Sequence, residues 1–144
     1  MIRSALLLSA LAAAASAVTC PPDWVQVGYS CYYLSTYTDT WRNSETTCQT
    51  LGGHLMSVSS PAEQDVITNY LRASDAWIGL NDLEDDGHYV WTDGTPYQYV
   101  HWAPGQPNDL LDQDCVSVLE DGSGQWDDNH CKYTKLFICE KMAS

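Results

Sequence analysis

Six cysteines, at positions 20, 31, 48, 115, 131 and 139, constrain what this chain can fold into more than any other feature. In an oxidising compartment an even set closes into three disulfides, and counting alone leaves fifteen pairings open. The N-terminus indicates such a compartment. Residues 1–17 carry one early charge at Arg3, an apolar run over residues 5–15 and a small-x-small end at Ala15-Ser16-Ala17, the pattern of a secretory signal peptide. The run is too short to span a bilayer and no second one follows. The expectation is a secreted, extracellular chain over residues 18–144, with no membrane anchor. That length fits a single domain, and no linker, repeat or low-complexity tract divides it.

Charge narrows the partners. The chain has 19 Asp and Glu against 6 Lys and Arg, a formal net charge of -13. Between Ala73 and Cys131 there are thirteen acids and no Lys or Arg, which excludes a nucleic-acid partner. The acids cluster in turns and loops and not along a helix face, so solvation alone is a poor account of them. The densest stretch, QPNDLLDQDC at 106–115, holds three aspartates without a balancing cation. Such a loop is stable if water separates the carboxylates or if something positive sits among them.

Two helices are legible in the first half. Thr40 precedes WRNSETTCQTL, where Trp41, Cys48 and Leu51 fall near one face and Gly52-Gly53 supplies a left-handed stop. Ser60-Pro61-Ala62-Glu63 combines an N-cap serine, a proline at the first helical position and a glutamate placed for a capping box, predicting a second helix from 61 to about 72. The pattern then shifts to short runs that read as strands: AWIGL (76–80), HYVW (88–91), YVHW (99–102), CVSVL (115–119) and LFICE (136–140). Asp-Gly pairs at 86–87, 93–94 and 121–122 mark tight turns. The expected class is α+β, two helices followed by antiparallel sheet. Twelve residues between Trp102 and Cys115 have no element of their own, a length that points to function.

Asp82-x-Glu84-x-Asp86-Gly87, followed by Asp93, imitates a helix-loop-helix calcium loop, but strands flank it and its last position lacks a bidentate glutamate. The oxygens still suit calcium, which takes six to eight hard donors. Zinc would want His and Cys, and the histidines at 54, 88, 101 and 130 show no ligand spacing. An enzyme is not expected. No nucleophile elbow is present, Asp-Gly-Ser-Gly at 121–124 reads as a turn, and no His stands beside a plausible nucleophile. The six tryptophans fall mostly within predicted elements and read as core.

The opening CPPDWVQVGYSCYYL, the helix TWRNSETTC, WIGL at 77–80 followed by Asn81-Asp82, the loop Trp-Ala-Pro-Gly-Gln-Pro-Asn, Trp126-Asp127-Asp128 and the closing FICE form an ordered set. With these the chain resembles the C-type lectin domain, long form, over essentially all of residues 18–144. The resemblance implies the disulfides Cys20–Cys31, Cys48–Cys139 and Cys115–Cys131, and a long calcium-binding loop. It implies a sugar-binding calcium site at Gln106, Asn108, Gln113, Asp127 and Asp128, with Asp112 able to take part, and a cis bond before Pro107. Two departures stand out: Gln113 where the family usually has Glu, and Asp127 where it usually has Asn. A second, structural calcium would use Asp82, Asp86, Asp109 and Asp114.

Sugars bind such sites through two neighbouring hydroxyls. Gln-Pro-Asn falls between Glu-Pro-Asn, which in the family goes with mannose-type sugars, and Gln-Pro-Asp, which goes with galactose-type sugars. Leu110 and Leu111 stand where galactose-type members often place an aromatic ring, which favours mannose-type or broad recognition. A single shallow site is weak, so avidity calls for several sites on one assembly, for which a homo-oligomer is one route. The expected function is calcium-dependent carbohydrate binding, with microbial recognition or agglutination among its uses. The alternative keeps the fold and binds protein, ice or mineral surfaces.

Overall fold

The computed structural model describes residues 17–108 and 112–144. All of the expected signal peptide except Ala17 lies outside the described residues, as do Asp109, Leu110 and Leu111. Among the described residues no helix is long and apolar enough to cross a membrane.

Strands β1 (Val25–Val27) and β2 (Ser30–Leu34) form a hairpin, and the Cys20–Cys31 disulfide ties the segment before it to β2. Helix α1 (Trp41–Thr50) starts where Thr40 accepts a hydrogen bond from Asn43 N. It buries Trp41, Ser44, Glu45 and Cys48, and Cys48 bonds to Cys139. Leu51 departs from the expected apolar face: it caps the helix and is exposed, because the chain turns at Gly52 with φ 99°. Strand β3 (His54–Leu55) follows, held by buried Glu45, whose carboxylate accepts from Leu55 N at 2.8 Å.

Ser60 caps helix α2 (Pro61–Asp65), accepting from Glu63 N, while Glu63 reaches back to Ser59 N at 3.0 Å, one residue earlier than a capping box requires. From Val66 to Leu71 the expected α-helix is a π-helix, ending at Arg72 with φ 50°. Thr68 Oγ1 donates to Gln64 O at 3.2 Å, a bond that competes with the regular ladder.

The remaining strands are β4 (Ala76–Asn81), β5 (Val90–Trp91), β6 (Cys115–Val118), β7 (Trp126–Asn129) and β8 (Leu136–Met142). They join the first pair in the order β1-β2-β8-β4-β6-β7, with β3 on β8 and β5 on β4. One contact is parallel where the sequence suggested only antiparallel pairing: β4 meets β8 at Ala76↔Leu136 and Trp77↔Phe137. The long route through β6 and β7 supplies the crossover that a parallel pair requires. Residues 99–102 form no strand. Tyr99 and Trp102 instead set their rings edge-on against Trp126, at 6.1 and 5.7 Å, and the backbone makes only a bridge from Trp102 to Trp126.

Strand β4 is buried at all six positions and divides the core in two. One cluster gathers Ile78, Leu80, Trp91, Val116, Trp126 and Ile138; the other gathers Trp41, Leu55, Trp77, Phe137 and the Cys48–Cys139 bond. Within WIGL the glycine is obligatory for packing, since a Cβ on Gly79 would stand 2.8 Å from Leu55 O and 2.9 Å from Thr92 Cγ2.

Candidate functional site

The β4–β6 register ends at Asn81↔Cys115, so the next residue out on each side is an aspartate. Asp82 N donates to Asp114 O at 3.0 Å. Asp86 is brought alongside by the turn after Asp82, where Gly87, with φ 80°, donates its N–H to Asp82 Oδ2 at 2.9 Å. Carboxylate oxygens of Asp82, Asp86 and Asp114 thus lie within 4.8 Å of one another. Burial, and then the charges of Asp82 and Asp86, push Asp114 up to about 6. Three of the four aspartates assigned to a structural calcium converge here; Asp109 lies outside the described residues.

The long loop is anchored at both ends. Ala103 N donates to Trp126 O and Trp126 N to His101 O, each at 2.9 Å, and the Cys115–Cys131 disulfide closes the far end. The Gln106–Pro107 bond is cis. Beyond it Asn108 N donates to Asp128 Oδ1 at 3.2 Å, and Tyr89 OH donates to Asp128 Oδ2 at 3.4 Å. Asp128 is 2% exposed. Its neighbour Asp127 accepts from Ser117 Oγ at 3.2 Å, as alternation along β7 requires, and burial raises its pKa. Asp112 is exposed, with φ 60°, and borders a separate cavity facing the start of α1.

Buried acceptors without a donor are rare and costly, so their positions carry information. Among the described residues five buried side-chain atoms lack a partner: Asp82 Oδ1, Gln106 Oε1, Gln113 Oε1, Asp114 Oδ1 and Trp91 Nε1. The first four are oxygens, and they belong to the two predicted sites. At Gln106 and Gln113 they are amide carbonyls in a loop otherwise rich in acids. Oxygen acceptors with no nitrogen or sulfur among them fit a hard divalent cation such as calcium. Between Asp112 and Gln113, it is Gln113 whose side chain supplies an inward oxygen.

The Lectin C-type domain family matches residues 37–141. This chain belongs to the C-type lectin domain family. Low affinity immunoglobulin epsilon Fc receptor of Mus musculus is 39% identical over 127 residues, covering 87% of this chain, which spans only 38% of that receptor's length. Lectin BRA-3 of Megabalanus rosa is 36% identical over 140 residues, 94% of this chain and 86% of its own. The C-type carbohydrate-recognition domain of cow CD23, solved in the presence of a GlcNAc2Man3 oligosaccharide, superposes with a TM-score of 0.81 at 37% identity, covering 89% of this chain and 99% of that one. A calcium-independent type II antifreeze protein superposes equally, with TM-score 0.81 and 36% identity over 90% of this chain and 98% of its own. The C-type lectin domain fold of this chain, with two helices, a mixed sheet and three disulfides, is therefore shared by carbohydrate-recognition domains and by a protein that works without calcium.

Two residues of this C-type lectin domain that no sequence motif singled out hold side chains of the candidate site. Tyr89 holds Asp128, and its signal was the alternation in HYVW, which turns Tyr89 and Trp91 to the same side. Ser117 holds Asp127 from the middle of CVSV, where a buried serine among apolar residues is itself a signal of a polar partner.

Proposed function

We propose that this protein is a secreted, calcium-dependent carbohydrate-binding lectin. The observation that carries the reading is the pair of buried oxygen sets left without donors, Gln106 with Gln113 and Asp82 with Asp114. In a chain of net charge -13 such sets invite a cation. Gln106, Asn108, Gln113, Asp127 and Asp128 would hold the sugar-site calcium. Asp82, Asp86, Asp109 and Asp114 would hold a structural one beneath the loop.

When bound, calcium supplies a hard Lewis-acidic centre with coordination positions that two neighbouring sugar hydroxyls fill in place of water. The chain's own groups do the rest. The carboxylates of Asp127 and Asp128 would accept hydrogen bonds from those hydroxyls, and the amide nitrogens of Gln106 and Asn108 would donate to the hydroxyl lone pairs. Tyr89 and the backbone of Asn108 hold Asp128 in place, so little ordering remains for sugar binding to impose. Gln-Pro-Asn, with an amide at both ends, falls between the two sugar classes, and Leu110 and Leu111 in place of an aromatic ring support mannose-type or broad recognition. A glycan array probed in millimolar calcium tests the reading: signals on mannose-type or galactose-type glycans that vanish with chelator support it.

The calcium-independent antifreeze relative favours a second reading, in which the same fold binds a non-sugar surface. Silence on every glycan with calcium present, together with retained binding to ice or mineral, would select it.

A further inference from the structure

Apart from the calcium site, the surface carries a cavity of about 640 Å3 between the start of α1 and the connection from β7 to β8. None of Gln106, Asn108 and Asp128 lines it, and Asp114 alone is shared with the carboxylate cluster. Its size suits a small organic ligand, and its walls have an unusual composition for this chain.

Positive charge is scarce here, with 6 Lys and Arg in all. Two of them, Arg42 and Lys132, border this one cavity. They are ninety positions apart in sequence and are brought together because Trp41 N donates to Cys131 O at 3.1 Å, which sets the following residue of each segment on the same rim. Lys135 is paired with Asp75, and Lys141 donates to Leu51 O and lies over the Trp24 ring. Arg42 and Lys132 are exposed and, among the described residues, form no ion pair. Beside them His130 and Tyr133 stand edge to face at 5.2 Å, offering an apolar and aromatic wall, and Asp112, also on the lining, offers an acceptor for hydroxyls.

We propose that this cavity is a second saccharide subsite, selective for an acidic sugar whose carboxylate or sulfate group is paired by Arg42 and Lys132. The ring of such a sugar lies against Tyr133 and His130, and its hydroxyls donate to Asp112. The guanidinium of Arg42 binds either anion through two parallel N–H groups, and the Lys132 ammonium adds a point charge. The choice of a saccharide as ligand rests on the lectin reading; the choice of an anion rests on the two cations alone. The cavity and the calcium site together would select a glycan carrying both a neutral and an acidic residue.

Calorimetric titration in calcium tests this with four probes: the methyl α-glycoside of N-acetylneuraminic acid, galactose 6-sulfate, methyl α-mannoside and galactose. The parent protein is expected to bind at least one acidic probe more tightly than either neutral one, with an affinity that falls as salt rises. R42A/K132A should weaken acidic-probe binding about tenfold or more, since each lost charged hydrogen bond carries that order of effect, while neutral-sugar binding stays as in the parent. Binding of the carboxylate probe, the sulfate probe or both names the anion. R42K, which keeps the charge, should restore part of the loss. Tyr133→Ala, at a half-exposed position, gives an independent variant that removes the wall without touching the charges. Failure of neutral sugars alone would strike the calcium-site reading and leave this one standing. The subsite is overturned if acidic probes bind no better than neutral ones, or if R42A/K132A, folded and melting as the parent does, binds them equally well.

Discussion

Asp82 N donates to Asp114 O at 3.0 Å, and this one backbone bond sets two carboxylates side by side at the end of the β4–β6 ladder. Without a cation the arrangement opposes folding, because like charges at this range repel where little water screens them. Asp114→Asn should therefore raise the melting temperature of EDTA-treated protein and shrink the further rise on adding calcium. Differential scanning calorimetry in the two conditions measures both effects, and a variant that melts below the parent in EDTA would contradict the account.

The pH dependence follows from the same repulsion. Asp114 is pushed up to about 6, chiefly by burial and then by Asp82 and Asp86, and burial pushes Glu140 up to about 7. Both values are raised in the folded protein, so the stabilisation from protonation is complete below the ordinary values of 3.8 and 4.5 and is lost as pH rises through about 6 and about 7. The urea midpoint of metal-free protein should fall as pH rises through that window. In saturating calcium the Asp114 contribution should reverse, since the ion competes with the proton there, while the Glu140 contribution keeps its sign.

Asp128 is buried and accepts from both Asn108 N and Tyr89 OH. Asp128→Ala deletes the acceptor of these two bonds and removes a buried carboxylate from the proposed sugar site. Its cost to stability is expected at about 1–3 kcal/mol, with loss of glycan binding on a surface assay. Tyr89→Phe removes the hydroxyl that donates to Asp128 and should weaken sugar binding by a few-fold, with the calcium response retained.

Gly79 tests the packing that carries the loops. A methyl group there meets Leu55 O and Thr92 Cγ2 inside normal contact distance. Gly79→Ala should destabilise the domain by about 1–3 kcal/mol through overpacking, read as a lower denaturant midpoint with an unchanged slope. An unaffected midpoint would show that β3 and the Thr92 side chain can yield.

Legibility in the sequence tracked how local each determinant is. The start of α1 at Thr40 and the capping serine of α2 lie within one helical turn of what they control, and both were readable. The π-helix at Val66–Leu71 was not; the turn before it is tied to a distant segment by Gln64, whose amide reaches Gly124 O sixty residues away at 2.8 Å. Strand character at 99–102 was overridden by ring packing onto Trp126. For the site, the oxygen-rich loop was plain, and the ordered motifs led to the convergence of Asp82, Asp86 and Asp114. Tyr89, Ser117 and the meeting of Arg42 with Lys132 rest on register and on cross-chain hydrogen bonds, which composition and spacing do not encode.

Calcium titration followed by thermal unfolding tests the central claim most directly, because a ligand that binds only the folded state must raise its stability, by about 2.7 kcal/mol at a hundredfold excess over Kd. The account predicts a melting temperature that climbs with calcium, climbs again when mannose or galactose is added, and returns to its starting value with EDTA. A melting temperature indifferent to millimolar calcium would contradict it.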